Sequence, residues 1–99
     1  MKMENKNLYE SVIIIKGIFT EDEYRQALNE IIEKIKTIID ITKIDEIGLK
    51  NLAYEVKKNK KGYYVIIYYK ATNQAVLEIE RIFRITEDIL RFMTVKKDD

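Results

Sequence analysis

The stretch Leu8-Tyr9-Glu10-Ser11-Val12-Ile13-Ile14-Ile15-Lys16, followed by Gly17-Ile18-Phe19 and then Thr20-Glu21-Asp22-Glu23, decides the fold. Val12 to Ile15 is apolar at both parities, the pattern of a central strand covered on both sides. Gly17 to Phe19 is a short connection. Thr20 stands three residues before Glu23, the spacing of a capping box, and the acidic run suits the positive end of a helix dipole. A strand, a tight connection and a helix therefore open the chain.

Working outward, Tyr24, Ala27, Leu28, Ile31, Ile32, Ile35, Ile38 and Ile39 recur at steps of three and four, which predicts a helix from about Glu21 to Thr37. Ile41 to Val56 mixes β-branched and charged residues around Gly48, as in one long strand bent at a glycine bulge. The polar run Lys57-Lys58-Asn59-Lys60-Lys61-Gly62 reads as the turn of a hairpin, and Tyr63 to Tyr69 as its returning strand. Thr72-Asn73 can cap a second helix bearing Val76, Ile79 and Phe83 on its apolar face and a Glu80–Arg84 pair on its surface. Arg84 to Asp88 then reads as a turn, and Ile89 to Val95 as a last strand.

The order β-α-β-β-α-β is the split, ferredoxin-like arrangement of the α+β class, a four-stranded antiparallel sheet with both helices on one face. A length of 99 residues fits a single domain 1–99, with a folded core of about 8–96 between polar ends. Ile13, Leu28, Ile31, Ile35, Val65 and Phe83 should lie between sheet and helices.

Composition narrows function. With neither cysteine nor histidine, the chain has no disulfide, no thiolate site and no imidazole base. The three glycines are isolated, so no phosphate loop or dinucleotide fingerprint is present. Asp40, Asp45 and Glu46, with Lys43 nearby, read as a solvated face and not as an acid/base pair. No enzyme, cofactor or metal is expected. No apolar stretch is long enough for a signal core or a membrane span, so the expected location is the cytoplasm and no membrane partner is expected. The formal charge of +1 leaves little counterion release to drive nucleic-acid binding unaided.

The sheet holds more apolar surface than one helical layer can cover. Val12 and Ile14 alternate with Ile13 and Ile15, and Tyr64 to Tyr69 is apolar or aromatic throughout, so one parity must face away from the helices. β-Branched residues filling strands would explain this blandly; a docking surface would explain it functionally. Aromatic residues on an open sheet also suit base stacking, although the aromatic and basic signature of RNA-recognition modules is missing. Lys57, Lys58, Lys60 and Lys61 are either a solvated loop or a phosphate-contacting tip. The segment Leu49 to Val56, with Leu49, Leu52, Tyr54 and Val56, combines apolar side chains with the backbone groups of an edge strand and is the expected partner-docking segment.

Gly48-Leu49-Lys50-Asn51-Leu52-Ala53-Tyr54, followed by Gly62-Tyr63-Tyr64-Val65, resembles the bacterial small-subunit ribosomal protein six family. The resemblance extends to Tyr9-Glu10, to Thr20-Glu21-Asp22-Glu23 and to Arg84-Ile85-Thr86-Glu87-Asp88-Ile89-Leu90-Arg91-Phe92, in order over nearly the whole chain. It implies a structural protein of the small subunit's platform that binds the central domain of ribosomal RNA as a heterodimer with ribosomal protein eighteen. It further implies RNA contacts at Tyr9, Lys50, Asn51 and Arg91. The family commonly has two basic residues before Leu-Ala-Tyr, where this chain has Lys50 and Asn51, so contact there should be weaker or differently shaped. The alternative is a stand-alone ferredoxin-like interaction or ligand-sensing domain that homodimerises through its sheet.

Overall fold

A computed structural model describes residues 5–97; the polar ends at 1–4 and 98–99 lie outside it. The elements are β1 (Asn7–Lys16), α1 (Glu21–Ile35), β2 (Asp40–Val56), β3 (Asn59–Ala71), α2 (Asn73–Ile85) and β4 (Ile89–Lys96). They build one antiparallel sheet in the order β2-β3-β1-β4, with the helices on one face. This is the expected ferredoxin-like architecture.

The helices begin where their caps dictate. Thr20 Oγ1 accepts from the Glu23 N–H at 3.3 Å, and Glu23 Oε1 accepts from the Thr20 N–H at 2.8 Å, so two otherwise orphaned donors are satisfied reciprocally. Thr72 caps α2 by accepting from the Ala75 N–H at 3.1 Å. Helix α1 stops at Ile35, two residues before the expected end. The Ile38 and Ile39 amides both bond back to the Ile35 carbonyl, and Ile39 turns into the core. An apolar step of three or four thus continued through a turn that is not helix. Helix α2 conversely runs to Ile85, through the start of the expected turn. The Glu80–Arg84 pair does not form; the Arg84 guanidinium lies over the Phe92 ring instead, 5.7 Å from its centroid.

The core lies between the sheet and the helices. Ile13, Ile15, Val65, Ile67 and Tyr69 supply the sheet side, Tyr24, Leu28, Ile31 and Ile35 come from α1, and Val76, Ile79 and Phe83 from α2. All six residues expected there are buried. Ser11, wholly buried on the same side, exchanges 2.8 Å hydrogen bonds with the Tyr69 hydroxyl and the Thr94 hydroxyl, which satisfies three polar groups that would otherwise be costly.

The hairpin departs from expectation. Only Lys57 and Lys58 form the turn, and β3 starts at Asn59, so Lys60 and Lys61 lie in the strand and not in a loop. Both turn residues have positive φ, 48° and 68°. That is the conformation of the tight two-residue hairpin turn that favours Asn-Gly, and it costs a non-glycine residue on the order of 1–3 kcal/mol. The Asn59 amide donates to the carbonyls of Lys57, at 3.0 Å, and of Val56, holding the turn closed. Strand β2 is bent as expected, with a register shift between Glu46 and Gly48 and a φ of 110° at Gly48. A larger shift falls between Asn51 and Val56, where Leu52 to Glu55 bulge out opposite a single residue of β3.

Candidate protein and RNA interface

Among the described residues nothing covers the sheet face turned away from the helices, and the pairing register arranges it in cross-strand rows. One row runs Asp45, Ile66, Val12, Met93, and the next Gly48, Tyr64, Ile14, Arg91. On the other side of the first row, Lys43, Tyr68, Glu10 and Val95 form a third. Val12, Ile14, Tyr64, Ile66 and Tyr68 are half-buried, and Met93 and Val95 are exposed. The face is therefore apolar along its middle and charged at its rim, the usual anatomy of a surface that expects a partner.

Cations sit on its aromatic rings. The Lys43 ammonium lies 5.6 Å from the Tyr68 centroid, the Lys50 ammonium 5.9 Å from that of Tyr64, and the Arg91 guanidinium 5.2 Å from that of Tyr54. These are cation–π distances, modest in energy at exposed sites but effective in setting side-chain direction.

The bulged end of β2 folds over one corner of the face. Leu52, Ala53, Tyr54 and Val56 enclose, with Ile14, Tyr64 and Arg91, a hollow of about 240 Å³. Gly62 makes this close packing possible, because a Cβ there would sit 2.3 Å from Ile14 Cγ2 and 3.3 Å from Leu52 Cδ2. Three of the four expected docking residues thus line one hollow. Leu49 does not; it is exposed and pairs with Tyr63, at the other parity.

Of the residues expected to meet RNA, Lys50, Asn51 and Arg91 are exposed. Lys50 and Arg91 both project from the open face, but from the two edge strands. Three inter-strand spacings separate those strands, about 14 Å. Tyr9 has to be corrected. It is buried on the helix-covered face, stacks on Tyr69 at 5.8 Å between centroids, and donates its hydroxyl proton to Asn73 Oδ1. Its ring packs in the core and its hydroxyl is engaged by Asn73, so Tyr9 anchors β1 to the start of α2 and keeps only 6% of its surface exposed.

The net charge of +1 conceals a polarised distribution. From Lys50 to Lys61 there are five lysines and one carboxylate, whereas α1 carries five carboxylates and two cations. Among the described residues, none of Lys50, Lys57, Lys58, Lys60, Lys61, Arg84 and Arg91 is in an ion pair. No group of three or more acidic residues is placed to hold a metal ion among the described residues, and no helix there is long and apolar enough to cross a membrane.

The sequence motifs flagged the open face but not which residues meet on it. That Tyr54 reaches across to Arg91 depends on the bulge at Leu52 to Glu55, which has no composition signal.

A family model described as ribosomal protein S6 matches residues 8–96. The chain belongs to the ribosomal protein S6 family. Among curated S6 relatives, it is 43% identical over 93 residues to small ribosomal subunit protein bS6 of Helicobacter acinonychis (strain Sheeba), covering 91% of this chain and 64% of that one. The bS6 of Sulfurovum sp. (strain NBC37-1) is 37% identical over 91 residues, covering 91% and 72%. The chain thus spans a little under two thirds of the length of the Helicobacter relatives it matches. In three dimensions it resembles the crystal structure of 30S ribosomal protein S6 from Thermotoga maritima, with a TM-score of 0.80, 31% identity, and coverage of 94% of this chain and 89% of that one. An uncharacterized protein of the same organism, at 19% identity and a TM-score of 0.61 over 95% of this chain and 100% of that one, shares the fold.

Proposed function

We propose that this S6-family chain is a single-domain, non-catalytic constituent of the small ribosomal subunit in the cytoplasm, which binds the central domain of small-subunit ribosomal RNA together with ribosomal protein eighteen. The observation that carries the reading is the open sheet face, apolar along the Ile66–Val12–Met93 row and bordered by Lys50 and Arg91, neither of which is in an ion pair among the described residues. An apolar strip of this kind suits a protein partner, and the cations beside it suit phosphate.

In this reading Leu52, Tyr54 and Val56 receive the partner at the hollow over Ile14 and Tyr64, and Leu49 meets it at the strand edge. Lys50, Asn51 and Arg91 lie at the boundary where the partner's surface gives way to RNA. The small net charge fits a division of labour, in which a basic partner supplies the counterion release that this chain lacks.

Sedimentation of a cell lysate through a sucrose gradient tests the proposal. The chain should travel with small subunits and leave them when the salt concentration is raised far enough to strip ribosomal proteins. A chain that stays at the top of the gradient as a homodimer would overturn it, in favour of a stand-alone interaction domain.

A further inference from the structure

The chain has no cysteine, no histidine and no tryptophan, so its most readily oxidised groups are the thioethers of its three methionines. Met1 and Met3 lie outside the described residues, whereas Met93 stands on β4 and projects from the open face. Its register partner is Val12, and the row continues to Ile66. Arg91 and Val95 flank it two residues away on the same face. Met93 is 61% exposed, more than any other apolar side chain in the three rows of this face, and it takes no part in the core.

An exposed, unbranched thioether beside half-buried β-branched side chains is an adaptable contact point for a protein surface, and it is equally open to a peroxide. Both properties reside in one sulfur atom. A partner that covers the row shields Met93, and oxidation of Met93 changes the surface that the partner has to cover. We propose that Met93 is a redox modification site that controls docking: a peroxide oxidises it in the free chain, the oxidised chain docks its protein partner poorly, and the docked chain is protected. This rests on the reading of the open face as the partner surface and adds a means of regulation to it.

In the oxidation, the sulfur lone pair attacks one oxygen of hydrogen peroxide, the O–O bond breaks, and proton transfer leaves a sulfoxide and one water. Sulfur gives up two electrons and the peroxide takes them. A thiol-dependent sulfoxide reductase reverses the step: two thiols supply the two electrons and become a disulfide, and the oxygen leaves as water. The new S–O group is strongly polar and accepts hydrogen bonds. Along the row, the Val12 and Ile66 side chains offer it no donor, and the Arg91 guanidinium lies over the Tyr54 ring. Covering the sulfoxide with an apolar partner surface therefore removes its hydration without replacing it. The fold should be indifferent, because the side chain lies outside the core.

The test uses the full chain, hydrogen peroxide as oxidant and ribosomal protein eighteen as partner. Tryptic cleavage after Arg91 and Lys96 releases Met93 in a peptide apart from Met1 and Met3, so mass spectrometry follows it alone. In the free chain Met93 should gain oxygen about as fast as free methionine, and about tenfold more slowly once the partner is bound. The oxidised chain, still folded by circular dichroism, should bind the partner about tenfold more weakly and recover after treatment with a methionine sulfoxide reductase and dithiothreitol. Met93→Leu conserves volume without the sulfur, so it should bind like the parent both before and after peroxide. Unchanged affinity of the oxidised chain, an equal loss in peroxide-treated Met93→Leu, oxidation at the same rate with and without bound partner, or loss of the folded signal on oxidation would overturn the switch. Failure of the unoxidised chain to bind the partner would instead overturn the docking reading, and the switch with it.

Discussion

Leu28 and Ile31 point from α1 into the core and are 6% and 2% exposed. Truncating either to alanine should cost about 2–5 kcal/mol, since surrounding side chains only partly fill the space left. Chemical denaturation checks this, and an unchanged midpoint would contradict the helix register. On the opposite face, a methyl group at Gly62 would drive into Ile14 and Leu52, so Gly62→Ala should destabilise by about 1–3 kcal/mol and also distort the hollow beneath Tyr54. Tyr63 makes a pH-dependent contribution. Its hydroxyl donates to Glu46 Oε1 at 2.7 Å, and this bond, with burial and the Glu46 charge, pushes its pKa from 10.0 to about 12. A pKa raised in the folded state means that the neutral phenol is favoured by folding. The contribution is present in full below pH 10 and is lost as pH rises through 12. Denaturation midpoints of Tyr63→Phe should therefore fall less between pH 10 and 12 than those of the parent; equal falls would contradict the assigned hydrogen bond. The six expected core residues were legible at this scale because period and burial follow directly from apolar spacing. Tyr9 was not, because an amphipathic side chain at a strand start reads the same whether its ring faces α2 or solvent.

At the scale of elements, the β2–β3 hairpin carries most of the novelty. Its strands and the place of its turn were visible in the sequence, but the turn's extent was not, since Asn59-Lys60-Lys61-Gly62 has the same polar composition as Lys57-Lys58 and yet pairs in β3. Tertiary packing of the hairpin end against β1 and the start of β4 overrode local preference. The strain left at the turn predicts that Lys58→Gly raises stability, by about 1 kcal/mol, the difference between relieved backbone strain and the greater flexibility of glycine when unfolded. A lower denaturation midpoint would mean that the turn is not strained. The bulge at Leu52 to Glu55 makes a second prediction. Leu52→Ala or Tyr54→Ala should weaken binding to ribosomal protein eighteen at least tenfold, about 1.4 kcal/mol, whereas Lys58→Ala should change it little. Affinity measured on variants whose circular dichroism matches the parent checks this, and equal losses for Tyr54 and Lys58 would contradict the docking role of the hollow.

For the whole molecule, the order of elements and the family motifs made the architecture readable before any coordinates. What they left out was how the two faces divide labour, because net charge and linear motifs carry no information about which strands lie at the edges. Lys50 and Arg91 both belong to motifs of the family pattern but lie on opposite edges of the sheet, and the cations concentrate toward the hairpin end while α1 is acidic. A molecule built this way should bind RNA weakly alone, since its cations act locally against a near-neutral whole, and firmly once a basic partner covers the apolar strip beside them. The most direct test is a calorimetric titration of a central-domain RNA fragment with the chain alone and with the chain preloaded with ribosomal protein eighteen, at one fixed salt concentration. Weak or undetectable heat from the chain alone, and a saturable transition at least tenfold tighter with the partner, is the result expected. Equally tight binding by the free chain would contradict the account.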